Sequence, residues 1–210
     1  EAIKNRDGFR REIIDHPDAL HDILHDGFRI AVRHMEDAAF RDCTALTSVT
    51  IPDGVTTIGN GAFMGCTGLT SVTIPNKVET IGDNAFKNKT GITSVEIPTS
   101  IKSIGESAFE GCRGLTSIVI PSSVKTLGND AFKGCSNLAY AFMENPSNTR
   151  RANGGLETIG EGAFANTGLK AIVIPNTVTS VGKGAFEGCN AVESYTGKYY
   201  VDPNAQLGIS

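Results

Sequence analysis

Apolar positions along the middle of the chain fall in one repeating pattern. In "LTSVTIPDGVTTIGNGAFMGCTG", residues 46–68, they are Leu46, Val49, Ile51, Val55, Ile58, Ala62, Phe63 and Cys66, and residues 69–91, "LTSVTIPNKVETIGDNAFKNKTG", restate the skeleton after 23 residues. Full copies begin at Leu46, Leu69, Ile92, Leu115 and Leu169, with an enlarged copy at Leu138. A decayed copy precedes them, its Phe28, Val32, Met35, Ala39, Phe40 and Cys43 lying one period before Ile51, Val55, Ile58, Ala62, Phe63 and Cys66, and a last copy starts at Val192. A fixed period of this length identifies a stacked-repeat protein, whose end units wear away because they face water.

Each unit predicts one coil. "LTSVTIP" alternates, so Val49 and Ile51 point inward while Ser48 and Thr50 point out, as in a short strand. Pro52, Pro75, Pro98, Pro121 and Pro175 stand at the strand exit, where a missing N–H breaks no ladder. A second extended piece, "VTTIG", places Val55 and Ile58 inward and ends on a glycine that recurs as Gly82, Gly105, Gly128, Gly160 and Gly182, which suits a corner of positive φ. A polar residue such as Asp83, Asn84, Glu106 or Asp130 then precedes the Ala-Phe pair, as a cap on a single helical turn, with an acidic ladder for cations as the alternative. Phe40, Phe63, Phe86, Phe109, Phe132, Phe164 and Phe186 are expected to stack as a core spine. About seven coils at roughly 4.8 Å each predict a rod or shallow arc about 35 Å long.

The unit L-x-x-V-x-I-P-x-x-V-x-x-I-G-x-x-A-F-x-G-C-x-x, over about residues 46–191, resembles the BspA-like, or Treponema pallidum type, leucine-rich repeat. The resemblance implies an α/β repeat fold, a right-handed leucine-rich-repeat solenoid of about seven 23-residue coils with a parallel strand face. It also implies partner binding through that face, commonly in adhesion, and a cell-surface or secreted location. Residues 1–25 depart from the repeat and are expected to form a helical N-terminal cap; residues 26–210 form the solenoid, with a loop insertion around 144–155.

Composition narrows the functional classes. The net charge of −4 is spread over interspersed signs, which argues against nucleic acid, and no apolar run is long enough to span a bilayer. Cys43, Cys66, Cys112, Cys135 and Cys189 occupy one slot on different coils, with Lys89 in the slot between Cys66 and Cys112. Ligands so dispersed do not converge on a metal, and buried free thiols acting as small hydrophobes are expected instead. His21 and His25, four residues apart beside Asp18 and Asp22, offer two metal-ligand positions, but no third is specified and a solvated cap face accounts for them. No nucleophile stands beside a base and no phosphate loop appears, so no catalytic residue, resident metal or cofactor is expected.

The slots that vary carry the functional expectation. Two outward ladders run Ser48, Ser71, Ser94, Ser117, Tyr140, Ala171 and Thr50, Thr73, Glu96, Val119, Phe142, Val173. Val119, Tyr140, Phe142 and Val173 are thus expected to form one apolar patch, with Arg150 and Arg151 of the enlarged loop beside it. Two arrangements are open: the loop folds over the patch, or the patch holds a protein or glycan partner. The expected function is a non-enzymatic protein- or glycan-binding module, in adhesion at a surface or, alternatively, as a scaffold subunit of a larger and intracellular assembly.

Overall fold

The computed structural model describes residues 34–144, 155–190 and the backbone of 194–197. Coil stacks on coil throughout. The "VTTIG" segments supply two-residue strands: β1 (His34–Met35), β3 (Thr57–Ile58), β5 (Thr80–Ile81), β6 (Ser103–Ile104), β8 (Thr126–Leu127), β10 (Thr158–Ile159) and β12 (Ser180–Val181). They form one parallel seven-stranded sheet in that order, with Thr57 opposite Thr80 and Ile58 opposite Ile81, one repeat apart. The "LTSVTIP" segments supply the other wall. There β2 (Ser48–Thr50) pairs with β4 (Ser71–Thr73), and β7 (Ser117–Ile120), β9 (Tyr140–Met143), β11 (Ala171–Ile174) and β13 (Ser194–Gly197) make a four-stranded parallel sheet.

Between the walls lies a continuous core. Ile58, Ile81, Ile104, Leu127 and Ile159 meet Val49, Ile118, Ala141 and Ile172, all buried. No coil can bury these side chains alone, which is why the repeat must stack. The seven phenylalanines form the expected spine, successive rings lying 5.2–5.5 Å apart between centroids with planes within 14° of parallel.

The third side of each coil differs from expectation. The Ala-Phe segments form no helical turn, and no helix occurs among the described residues. Backbone N–H groups there alternate between two partners: Ala62 and Met64 donate to Gly59 and Gly61 of their own coil, while Gly61 and Phe63 donate to Asp83 and Ala85 of the next. This alternation requires a left-handed residue at two places per coil, supplied by Asn84, Ser107 and Asp130 at one and by Gly65, Asn88 and Gly111 at the other. Asn84 and Asp130 are therefore residues of the turn itself. Caps come from the preceding coil instead: Asn60 Oδ1 accepts the Asp83 N–H at 2.8 Å, and Asp83 Oδ1 accepts the Glu106 N–H at 2.8 Å.

The corner glycines have another cause as well. Gly82, Gly105, Gly128 and Gly160 do not take positive φ. A Cβ at Gly105 would stand 2.7 Å from Asp83 N and Gly82 C, and one at Gly160 would stand 2.6 Å from Asn129 N. Glycine is required because neighbouring backbones touch there.

All five cysteines are free and buried. Sγ of Cys66, Cys112, Cys135 and Cys189 donates to a phenylalanine carbonyl of the preceding coil, at 2.8–3.2 Å. Lys89 takes the same slot with no solvent exposure, its Nζ donating to the Lys87 carbonyl at 3.1 Å. The expected cap at 1–25, with His21 and His25, lies outside the described residues, as do Phe28, Val32, Arg150 and Arg151.

Candidate functional site

The strand wall presents two ladders to solvent because side chains alternate along each strand. Ser117 stands opposite Tyr140, Val119 opposite Phe142 and Tyr140 opposite Ala171. The intervening Ile118, Ala141 and Ile172 are buried, so their neighbours must face out. Val119, Tyr140, Phe142 and Val173 are 47%, 46%, 58% and 53% exposed, against near-complete burial for every core residue beside them. The Tyr140 and Phe142 rings lie 6.2 Å apart with planes 11° from parallel. The structure therefore brings all four residues of the expected apolar patch together. Both feet of the insertion are tied to the preceding coil: Glu144 N–H donates to Ile120 O at 3.0 Å, and Gly155 N–H donates to Ser122 O at 2.6 Å.

Sequence reasoning missed a second feature, a break in the same wall. Residues 92–98 should supply a strand between β4 and β7, but none forms and the wall divides into its two- and four-stranded parts. Elsewhere a bond at the strand entrance ties coil to coil, from Thr70 N–H to Thr47 O, Thr116 N–H to Thr93 O, Ala139 N–H to Thr116 O and Lys170 N–H to Ala139 O. The equivalent bond from Thr93 to Thr70 is missing. Among the described residues, Ser94, Val95, Glu96 and Ile97 make no backbone hydrogen bond to either neighbouring coil.

The separation is local. A Cβ at Gly91 would meet Thr70 Cγ2 at 3.1 Å and Leu69 O at 3.3 Å, whereas one at Gly68 would meet Leu46 O at 3.1 Å and Thr44 O at 2.6 Å, so the close carbonyl approach seen at Gly68 is relaxed at Gly91. On the opposite wall they stay closed, with Thr80 paired to Ser103 and Ile81 to Ile104. A cleft of about 550 Å³ results, with Thr70, Ser71, Thr73, Thr93 and Ser94 along it and Asp53 and Glu96 among its polar residues. Val72 and Val95, half-buried where their counterparts in other coils are buried, line it and pack against the core. Glu96, an acid in a ladder otherwise begun by Thr50 and Thr73, is the sequence feature that could have drawn attention here.

Apart from Glu110, which its ion pair with Lys87 helps to hold below the usual carboxylate range, the perturbed titrations lie inside the solenoid. Burial pushes the Cys189 thiol up, a hydrogen bond to Cys43 together with burial pushes the Cys66 thiol up, and burial pushes Lys89 down. These groups are buried and do not line the strand face. Among the described residues no group of three or more His, Cys, Asp or Glu side chains could hold a metal ion, and no helix is long and apolar enough to cross a membrane. What the face offers is apolar area, hydroxyl groups and open backbone, which suit binding.

Comparison with known proteins agrees with this architecture. The chain is similar, at 34% identity and a TM-score of 0.67, to a leucine rich cell surface protein from Faecalibacterium prausnitzii, over 77% of this chain and 42% of that one. It is similar to the leucine-rich repeat protein of T. pallidum at 28% identity and a TM-score of 0.65, over 80% of each chain. A leucine-rich repeat protein from Bacteroides ovatus matches at 26% identity and a TM-score of 0.55, over 80% of this chain and 55% of that one. The chain thus spans about half the length of the first and third of these. No match was found among functionally curated proteins. The family model for the BspA type leucine rich repeat region matches residues 33–150 and 139–199 in six copies, and with the stacked coils described above this shows that the chain belongs to the BspA type leucine-rich repeat family.

Proposed function

We propose that this chain is a cell-surface binding module that holds a protein partner on its strand face, through Val119, Tyr140, Phe142 and Val173, with Arg150 and Arg151 of the insertion contributing charge. One observation carries the reading: four large apolar side chains, each about half exposed, stand on adjacent strands whose other outward positions are the small residues Ser117 and Ala171. Isolated exposed apolar residues need no explanation, but a contiguous group containing two aromatic rings has the makeup of an interface centre. The family supports binding in general, and the F. prausnitzii relative, described as a cell surface protein, supports the location.

The test compares the wild type with Phe142→Asp, each immobilised and exposed to solubilised surface proteins of cells the source organism contacts, with retained proteins identified by mass spectrometry. A set retained by the wild type and absent from the variant, at unchanged thermal midpoint, supports the reading. A large fall in midpoint would instead show Phe142 to be covered in the protein. A retained complex of fixed stoichiometry with proteins of the source cell itself would favour a scaffold role.

A further inference from the structure

We infer that the cleft between the coil beginning at Leu69 and the coil beginning at Ile92 is a docking site for an extended, basic peptide segment of a partner, held by backbone pairing. This rests on the reading of the strand face as the partner face, but it names a second place on that face and the chemistry of what enters it.

Unpaired backbone is the first ground. Ser94, Val95, Glu96 and Ile97 make no backbone bond to a neighbouring coil among the described residues, and β4 is paired only with β2. On this wall the other neighbouring coils meet backbone to backbone among the described residues, and exposed sheet edges of this kind take an added strand from another chain. Hydroxyl-rich walls alone would fit a sugar equally well. Rows of open N–H and C=O groups along two extended segments are complementary to a peptide backbone.

The lining supplies the second ground. Val72 and Val95, on adjacent coils, offer an apolar surface to side chains at alternate positions of an entering strand. Asp53 and Glu96 line the cleft and no lysine, arginine or histidine does, so cationic side chains at the intervening positions meet complementary charge. Residues 70–76 and 93–98 run its length, which admits a segment of about five extended residues at ~3.3 Å each. The break is confined to the strand wall, since the opposite wall remains paired at Thr80–Ser103, so the peptide enters without the solenoid coming apart.

The probe is a fluorescein-labelled peptide of sequence Lys-Val-Lys-Val-Lys, read by fluorescence anisotropy against the full chain. A second peptide is N-methylated at both valines, which removes backbone donors and leaves the charge unchanged. Saturable binding is expected, weakened by about tenfold or more both by N-methylation and by Glu96→Lys. Phe142→Asp, which removes the proposed apolar site elsewhere on the face, should change it by less than about threefold, since distant sites act independently. Glu96 is exposed, and a circular dichroism spectrum confirms the fold of that variant. Absence of binding, equal binding of the N-methylated peptide, insensitivity to Glu96→Lys, or loss of binding in Phe142→Asp would each overturn the proposal. Displacement of the peptide by a neutral oligosaccharide such as xylohexaose would reassign the cleft to a sugar.

Discussion

Phe109 and Phe132 stack one coil apart, with ring centroids 5.3 Å from each other and planes 2° from parallel. Each ring also meets the next along the spine, so removing one takes a contact from both neighbours. Phe109→Ala should cost about 3–5 kcal/mol, the range for a fully buried aromatic side chain whose site cannot collapse. Chemical denaturation should show this as a lower midpoint. A loss under about 1 kcal/mol would mean that the coils slide together to fill the space.

Lys89 buries an amine in a slot that five other coils give to cysteine. Its Nζ has one carbonyl partner. Lys89→Met keeps most of the volume and removes the amine, so it should stabilise the protein at neutral pH by roughly 1–3 kcal/mol.

The pH dependence of that difference has a definite sign. Burial lowers the Lys89 pKa from its ordinary 10.5, so between the lowered folded value and 10.5 the unfolded chain binds more protons than the folded one. Stability of the wild type should therefore rise relative to Lys89→Met as the pH climbs through that window. Below it the difference should be constant. Cys189, raised by burial from its ordinary 9.0, acts oppositely and lowers the stability of both proteins above that pH. Denaturation midpoints of the two proteins, measured in parallel from neutral to alkaline pH, check both statements.

Two glycines should respond differently to a side chain. At Gly105 a Cβ would meet backbone at 2.7 Å, and Gly105→Ala should cost more than about 2 kcal/mol, as overpacking against an immobile neighbour does. Gly134 has φ +70° with its nearest neighbour 4.0 Å from a Cβ, and its slot holds Asn88 and Asn166 in other coils. Those asparagines reach into the space beside Gly111 and Gly188, whereas Gly134 is followed in this slot by Asn166, so alanine is the fitting change and Gly134→Ala should cost only the left-handed penalty of about 1–2 kcal/mol. Thermal midpoints of the pair provide the comparison.

Phe142 is exposed, so Phe142→Asp should move the unfolding free energy by no more than about 0.5 kcal/mol. Partner capture should disappear with it. A calorimetric scan beside the retention experiment separates the two effects.

What the sequence determined was the content of one coil. Strand alternation, the proline exit, the phenylalanine spine and the buried thiols follow from a pattern that is local and repeated, and the outward register of Val119 and Phe142 follows from the same period. The side chains of the Ala-Phe segment looked like the start of a helix because Asn84 and Asp130 are good caps. Tertiary stacking decided otherwise, since the N–H groups of Gly61 and Phe63 find carbonyls in the next coil and have no need of a helix.

Distances between coils were likewise invisible to the sequence. That Gly105 is glycine because two backbones touch, that Lys89 is buried without solvent, and that the wall parts between Val72 and Val95 are properties of how one coil rests on another. Residues within a coil are linked by the chain, and their pattern can be read from it. Residues of adjacent coils are linked through packing and hydrogen bonds between segments about 23 positions apart, so whether they touch or part is settled only when the stack forms.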